Sequence, residues 1–121
     1  MTAFWVFLGG GLGSVARFGI GKIIGTMNHT NFPLSTFISN ILACIILVLV
    51  IYQIPFKSEN QWLQPFLVAG FCGGFSTFST FSYENFILIS NGNWGMAVLN
   101  VLISLAVGIG VMFILFQKLS N

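Results

Sequence analysis

Apolar residues gather in four long runs along this chain, at about residues 3–25, 33–52, 62–89 and 94–116. Polar connections separate them at residues 26–32, 53–61 and 90–93. These hold the turn formers Asn28, Asn31, Pro55, Asn60, Asn91 and Gly92. A helix needs about 20 apolar residues to cross the hydrocarbon core of a bilayer. Each run therefore predicts one crossing helix, and little chain is left over. A transmembrane barrel would instead show segments of about ten residues with alternating polarity, and these runs are too long and too uniform. The pattern predicts an all-α membrane protein, a single four-helix transmembrane domain over residues 1–121.

Composition points the same way. Of 121 residues, 56% are hydrophobic and 5% are charged, whereas a soluble domain carries about 25% charged residues. The amino terminus lacks a positive leader and a small-residue cleavage site, so the first run is expected to stay in the bilayer. Cys44 and Cys72 fall inside runs and are expected as small core residues, without disulfide or metal. Orientation normally follows an excess of Lys and Arg on the cytoplasmic side. With four crossings, Lys57 and Lys118 share one side, and Lys22, with Arg17 if it reaches the interface, lies on the other. Such a balance permits insertion either way up, and hence an antiparallel pair.

Polar residues inside the runs carry the functional signal. The first run places Gly9, Gly13, Gly21 and Gly25 at i, i+4 spacing with Arg17 among them, a ridge suited to close helix packing. A guanidinium there must cap carbonyls, face a vestibule or snorkel. The second run has Thr36 and Asn40 one turn apart beside Ser39; an amide in hydrocarbon either joins helices or faces water. The third reads GFCGGFSTFSTFSYEN over residues 70–85. Adjacent glycines before a hydroxyl-rich run are poor helix material, so this crossing is expected to be broken near its middle, with freed carbonyls that can hold a small cation. Past the break, Ser76, Ser79 and Tyr83 form one expected polar stripe, and Thr77, Thr80 and Glu84 a second. Phe78 and Phe81 are i, i+3 neighbours expected to stack. The fourth run adds a seam of Asn100, Ser104 and Gly108. Neutral amides and hydroxyls along a wet path suit a small anion that must be partly dehydrated without being trapped.

These strings resemble the Fluc (CrcB) family of fluoride channels. The resemblance spans essentially the whole chain and rests on GGGLGSVARF (residues 9–18), FPLSTFISN (residues 32–40) and GFCGGFSTFSTFSYE (residues 70–84). Phe75-Ser76 stands where Leu-Thr is frequent in the family. The resemblance implies a dual-topology antiparallel homodimer with two fluoride pores and a structural sodium ion at its centre, in the cell (inner) membrane of a prokaryote. Carried over, the sodium ligands are the backbone carbonyls of Gly73 and Ser76. The pore residues are Asn40, Phe78, Phe81, Ser79 and Thr80, with Asn100 and Ser104 as fourth-run candidates and Arg17 near the entry. Glu84 matches a family position, and its spacing assigns it no role. Expected partners are fluoride, membrane lipid and a second copy, with no nucleic acid.

Three other classes compete. A small multidrug exporter needs a carboxylate in its first crossing, where this chain has Arg17 and no acid. A subunit that only packs against a larger complex needs fewer amides. An enzyme is disfavoured because His29 lies in a connection without an evident partner.

Overall fold

The computed structural model describes residues 1–53 and 61–121. The expected turn formers Pro55 and Asn60, and the side assigned to Lys57, lie outside the described residues. Among the described residues there are five α-helices: α1 (Thr2–Met27), α2 (Leu34–Gln53), α3 (Gly73–Phe75), α4 (Phe78–Ser90) and α5 (Trp94–Ser120). A π-helical stretch, Pro65–Cys72, runs directly into α3. Among the described residues, three helices, α1, α2 and α5, are long and apolar enough to cross a membrane. At 1.5 Å per residue, the 13-residue α4 is only about 20 Å long, too short to cross alone.

The ends of the elements follow from local chemistry. Asn28 closes α1: its N–H bonds Ile24 O at 2.9 Å, and its Nδ2 reaches Phe32 O at 2.8 Å. Its Oδ1 accepts from Thr30 N–H and Oγ1, an Asx-type turn. Pro33, which has no N–H to leave unpaired, precedes α2. Gly92, with φ of 84°, makes the left-handed turn between α4 and α5. α5 runs past the expected residue 116 to Ser120. Gln117 and Lys118 are good helix formers that carry it beyond the apolar core.

The packing sets chain direction. Trp5 lies 4.8 Å from Trp62 between ring centroids, Gly9 meets Phe66 and Phe71, and Gly13 meets Phe71 and Phe75. Residue numbers rise together, so α1 and the π–α3 segment run parallel. The α2–α5 pair does the same: Cys44 faces Gly108, and the Tyr52 and Phe116 rings are 6.4 Å apart. Successive elements thus alternate in direction, as consecutive crossings must.

Close approach of α1 to the π–α3 segment depends on glycine. A Cβ at Gly9 would strike the Phe66 carbonyl, one at Gly13 the Phe71 carbonyl, and one at Gly74 the Gly10 carbonyl. The expected ridge is only half used this way. A Cβ at Gly21 would meet nothing nearer than Ser35 Oγ at 3.8 Å, and at Gly25 nothing within 4 Å. Cys72 is buried and Cys44 half-buried, both as free thiols.

A paired substitution tests this packing. Gly9→Ala is expected to cost about 1–3 kcal/mol, the range for overpacking, and to lower the thermal midpoint in detergent. Gly25→Ala is expected to be neutral or slightly stabilising. Equal midpoints for the two variants would contradict the packing.

Candidate ion pathway

Two extended residues separate α3 from α4. Ser76 has φ −88° and ψ 159°, and Thr77 has φ −152° and ψ 123°. The glycine pair itself remains helical, with Gly73 at φ −64° and ψ −36°, because Gly74 is used for contact with α1. The interruption falls instead on the hydroxyl residues, which compete with the ladder through their own side chains. Thr77 Oγ1 accepts the Thr80 N–H at 3.2 Å and so caps α4. Ser76 Oγ donates back to Cys72 O at 2.9 Å.

Asn40 on α2 grips this interruption at two points. Its Oδ1 accepts the Thr77 N–H at 2.9 Å, and its Nδ2 points to Thr77 O at 3.4 Å. A continuous helix would have turned that N–H onto Gly73 O, so the Gly73 carbonyl loses its helical partner. The Ser76 carbonyl, on an extended residue, also lies outside both ladders. The neighbouring Gly74 carbonyl accepts from Arg17 Nε at 3.2 Å. Arg17 is half-buried and acts here as a carbonyl cap.

Beside the interruption lies a cleft of about 510 Å³, whose lining includes Asn40, Gly73, Ser76, Phe78, Phe81 and Ser104. Phe78 is 72% exposed on the single chain. Its ring centroid is 6.4 Å from that of Phe81 with planes at 47°, so the two rings are tilted neighbours and not stacked. Ser79 and Thr80 do not line this cleft. Ser79 is exposed, with its Oγ 3.4 Å from Thr77 Oγ1. The expected stripe of Ser76, Ser79 and Tyr83 is not a single face, because Ser76 precedes the start of α4.

Asn100 sits away from the cleft, 1% exposed, and donates Nδ2 to Asn85 Oδ1 at 2.9 Å. Its own Oδ1 accepts from Ser104 Oγ at 3.2 Å. Asn85 was not singled out by sequence spacing. It lies 15 residues from its partner, and the two meet only because the tight turn folds α4 back along α5. Thr36, buried on α2, stands next to the Glu84 side chain. The Glu84 Oε1 is buried without a partner among the described residues.

The family model described as CrcB-like protein, Camphor Resistance (CrcB), matches residues 4–116. The chain belongs to the CrcB family. Its similar relatives include a fluoride-specific ion channel, FluC, of Azobacteroides pseudotrichonymphae genomovar. CFP2, 41% identical over 109 residues, covering 87% of this chain and 85% of the relative. A fluoride-specific ion channel FluC of Pyrococcus abyssi is 39% identical over 117 residues, 95% of this chain and 93% of that one. Another, of Gloeothece citriformis, is 42% identical over 113 residues, 90% and 89% of the two chains. The matched residues reach into every described helix, including the interrupted segment.

The grip on Thr77 gives this CrcB chain a direct test. Asn40→Leu leaves the Thr77 N–H without its acceptor, at a cost of about 1–3 kcal/mol. The expected result is a lower thermal midpoint in detergent. An unchanged midpoint would show that Asn40 does not hold the interruption.

Proposed function

We propose that this chain is a fluoride-selective channel that lets cytoplasmic fluoride leave passively. The observation that carries the reading is the cleft beside residues 76–77, where an amide, hydroxyls and two phenylalanines meet without a charged side chain in its lining. Ring edges bear the positive part of the aromatic quadrupole, so Phe78 and Phe81 can face an anion and disfavour a cation. Asn40 and Ser104 line the cleft, where their polar groups replace part of the anion's hydration; Ser79 and Thr80 belong to the hydroxyl-bearing region beside it, and Asn100 holds Ser104 by a hydrogen bond. Arg17 serves the vestibule. The names of the relatives support fluoride as the ion.

The driving force needs no coupling. Hydrogen fluoride crosses membranes uncharged and ionises inside a near-neutral cell. The interior-negative potential then pushes the anion out with about 2.3 kcal/mol per 100 mV. The setting is the cell membrane of a prokaryote.

The working unit in this reading is an antiparallel homodimer with two pores. Ser79 and Tyr83 are exposed on the single chain, as is Phe78. Hydroxyls facing lipid are costly, which favours a second copy over that surface. We read the π stretch, α3 and α4 as one interrupted crossing, making four in all. The Gly73 and Ser76 carbonyls fit a sodium ion, since both lie outside a helical ladder and offer hard oxygen donors. Two from each copy would hold it at the dimer centre, where the ion supplies a fixed positive charge that ties the copies together.

Proton-coupled export is the second reading, favoured by the unpartnered Glu84 oxygen. One experiment separates them. Purified protein in liposomes loaded with fluoride, without a pH gradient, is expected to release it to a fluoride-selective electrode, with far less release of chloride. Phe78→Ile or Phe81→Ile is expected to slow release about tenfold, the scale of one aromatic contact, while the dimer persists on gel filtration. Release that requires a pH gradient, or that ignores both substitutions, would contradict the channel.

A further inference from the structure

We propose that Asn85 is a positioning residue for anion selection, acting through Asn100 on the hydroxyl of Ser104 in the cleft. The inference rests on the channel reading above and adds a residue and a mechanism to it. Three hydrogen-bonding groups stand in series. Asn85 Oδ1 receives Asn100 Nδ2 at 2.9 Å, and Asn100 Oδ1 receives Ser104 Oγ at 3.2 Å. Asn100 is 1% exposed and Asn85 9%, so water does not easily replace either partner. Ser104 is half-buried and reaches the cleft that Asn40, Phe78 and Phe81 also line.

Direction is the consequential feature of this relay. An amide has one accepting end and one donating end, and a hydroxyl has a single proton. With its NH₂ fixed on Asn85, Asn100 turns its oxygen to Ser104 and takes that proton. Ser104 then presents lone pairs to the cleft, which an anion does not favour. An anion there must draw the proton away from the Asn100 oxygen. Fluoride, the smallest and most basic halide, competes for a hydroxyl proton far better than chloride, and hydrogen bonds to charged acceptors exceed neutral ones. The relay therefore taxes chloride more than fluoride.

Without the Asn85 oxygen, the Asn100 amide is free to reverse and offer NH₂ to Ser104. The hydroxyl proton is then available to any anion in the cleft, and discrimination narrows. Asn85 never touches the ion. Its influence passes entirely through the orientation of one amide.

The test is the ratio of fluoride to chloride efflux from liposomes of the full-length protein, with gel filtration confirming the assembly. Asn85→Leu is expected to lower the ratio about tenfold, the scale of one hydrogen bond, and Asn85→Ala serves if the leucine variant fails to assemble. Asn85→Asp, which keeps an acceptor for Asn100, is expected to hold the ratio near that of the unaltered protein. In a Ser104→Ala background, Asn85→Leu should change the ratio no further. An unchanged ratio in Asn85→Leu or Asn85→Ala overturns the relay, and so does an equal fall with Ser104 removed. An unaltered protein that passes no fluoride at all would instead overturn the channel reading beneath it.

Discussion

One side-chain amide decides whether the hydroxyl-rich segment behaves as helix or as something else. Asn40 takes the Thr77 N–H at 2.9 Å, and that single redirection removes the bond that would have closed a turn onto Gly73. In hydrocarbon a backbone donor cannot be left alone, so an interruption survives only where another group satisfies it. Thr77 supplies a second reason through its hydroxyl, which caps α4. Arg17 supplies a third by covering the Gly74 carbonyl. Between them these contacts make two extended residues tolerable.

Everything near the cleft inherits its position from that arrangement. α4 starts anew at Phe78, which sends the two phenylalanines toward the space beside Asn40 instead of continuing the face of α3. The backbone contact between α1 and the π–α3 segment holds the upstream half still, since glycines at 9, 13 and 74 leave no room for a side chain. The buried Asn85–Asn100 pair pins the downstream half to α5. The side chains lining the cleft thus sit between two fixed bodies, and a donor displaced by even about 1 Å loses most of a hydrogen bond.

Much of this architecture was legible in the residues. Three uninterrupted runs of apolar residues became α1, α2 and α5, because in a bilayer hydrophobicity and length decide the element. Asn40 stood out because an amide there demands a partner. The site of the interruption was less legible. Gly73 and Gly74 signal weak helix, but glycine serves close packing equally well, and only the neighbouring α1 decides between the two. Thus residues 76 and 77, not the glycines, leave the ladder, and Ser76 drops out of the stripe drawn through Ser79 and Tyr83. The π stretch carried no signal, since widened turns arise from tertiary contact. Asn85 was hidden for a similar reason: its partner is set by the turn at Gly92, and no helical period relates residues 85 and 100.

Backbone carbon chemical shifts at Ser76 and Thr77, measured by solid-state NMR on the protein in lipid bilayers, test the central claim most directly. Extended-type shifts at those two residues, flanked by helical shifts at Phe75 and Phe78, are what the Asn40 grip predicts. Helical shifts running unbroken from Phe75 through Phe78 would contradict it.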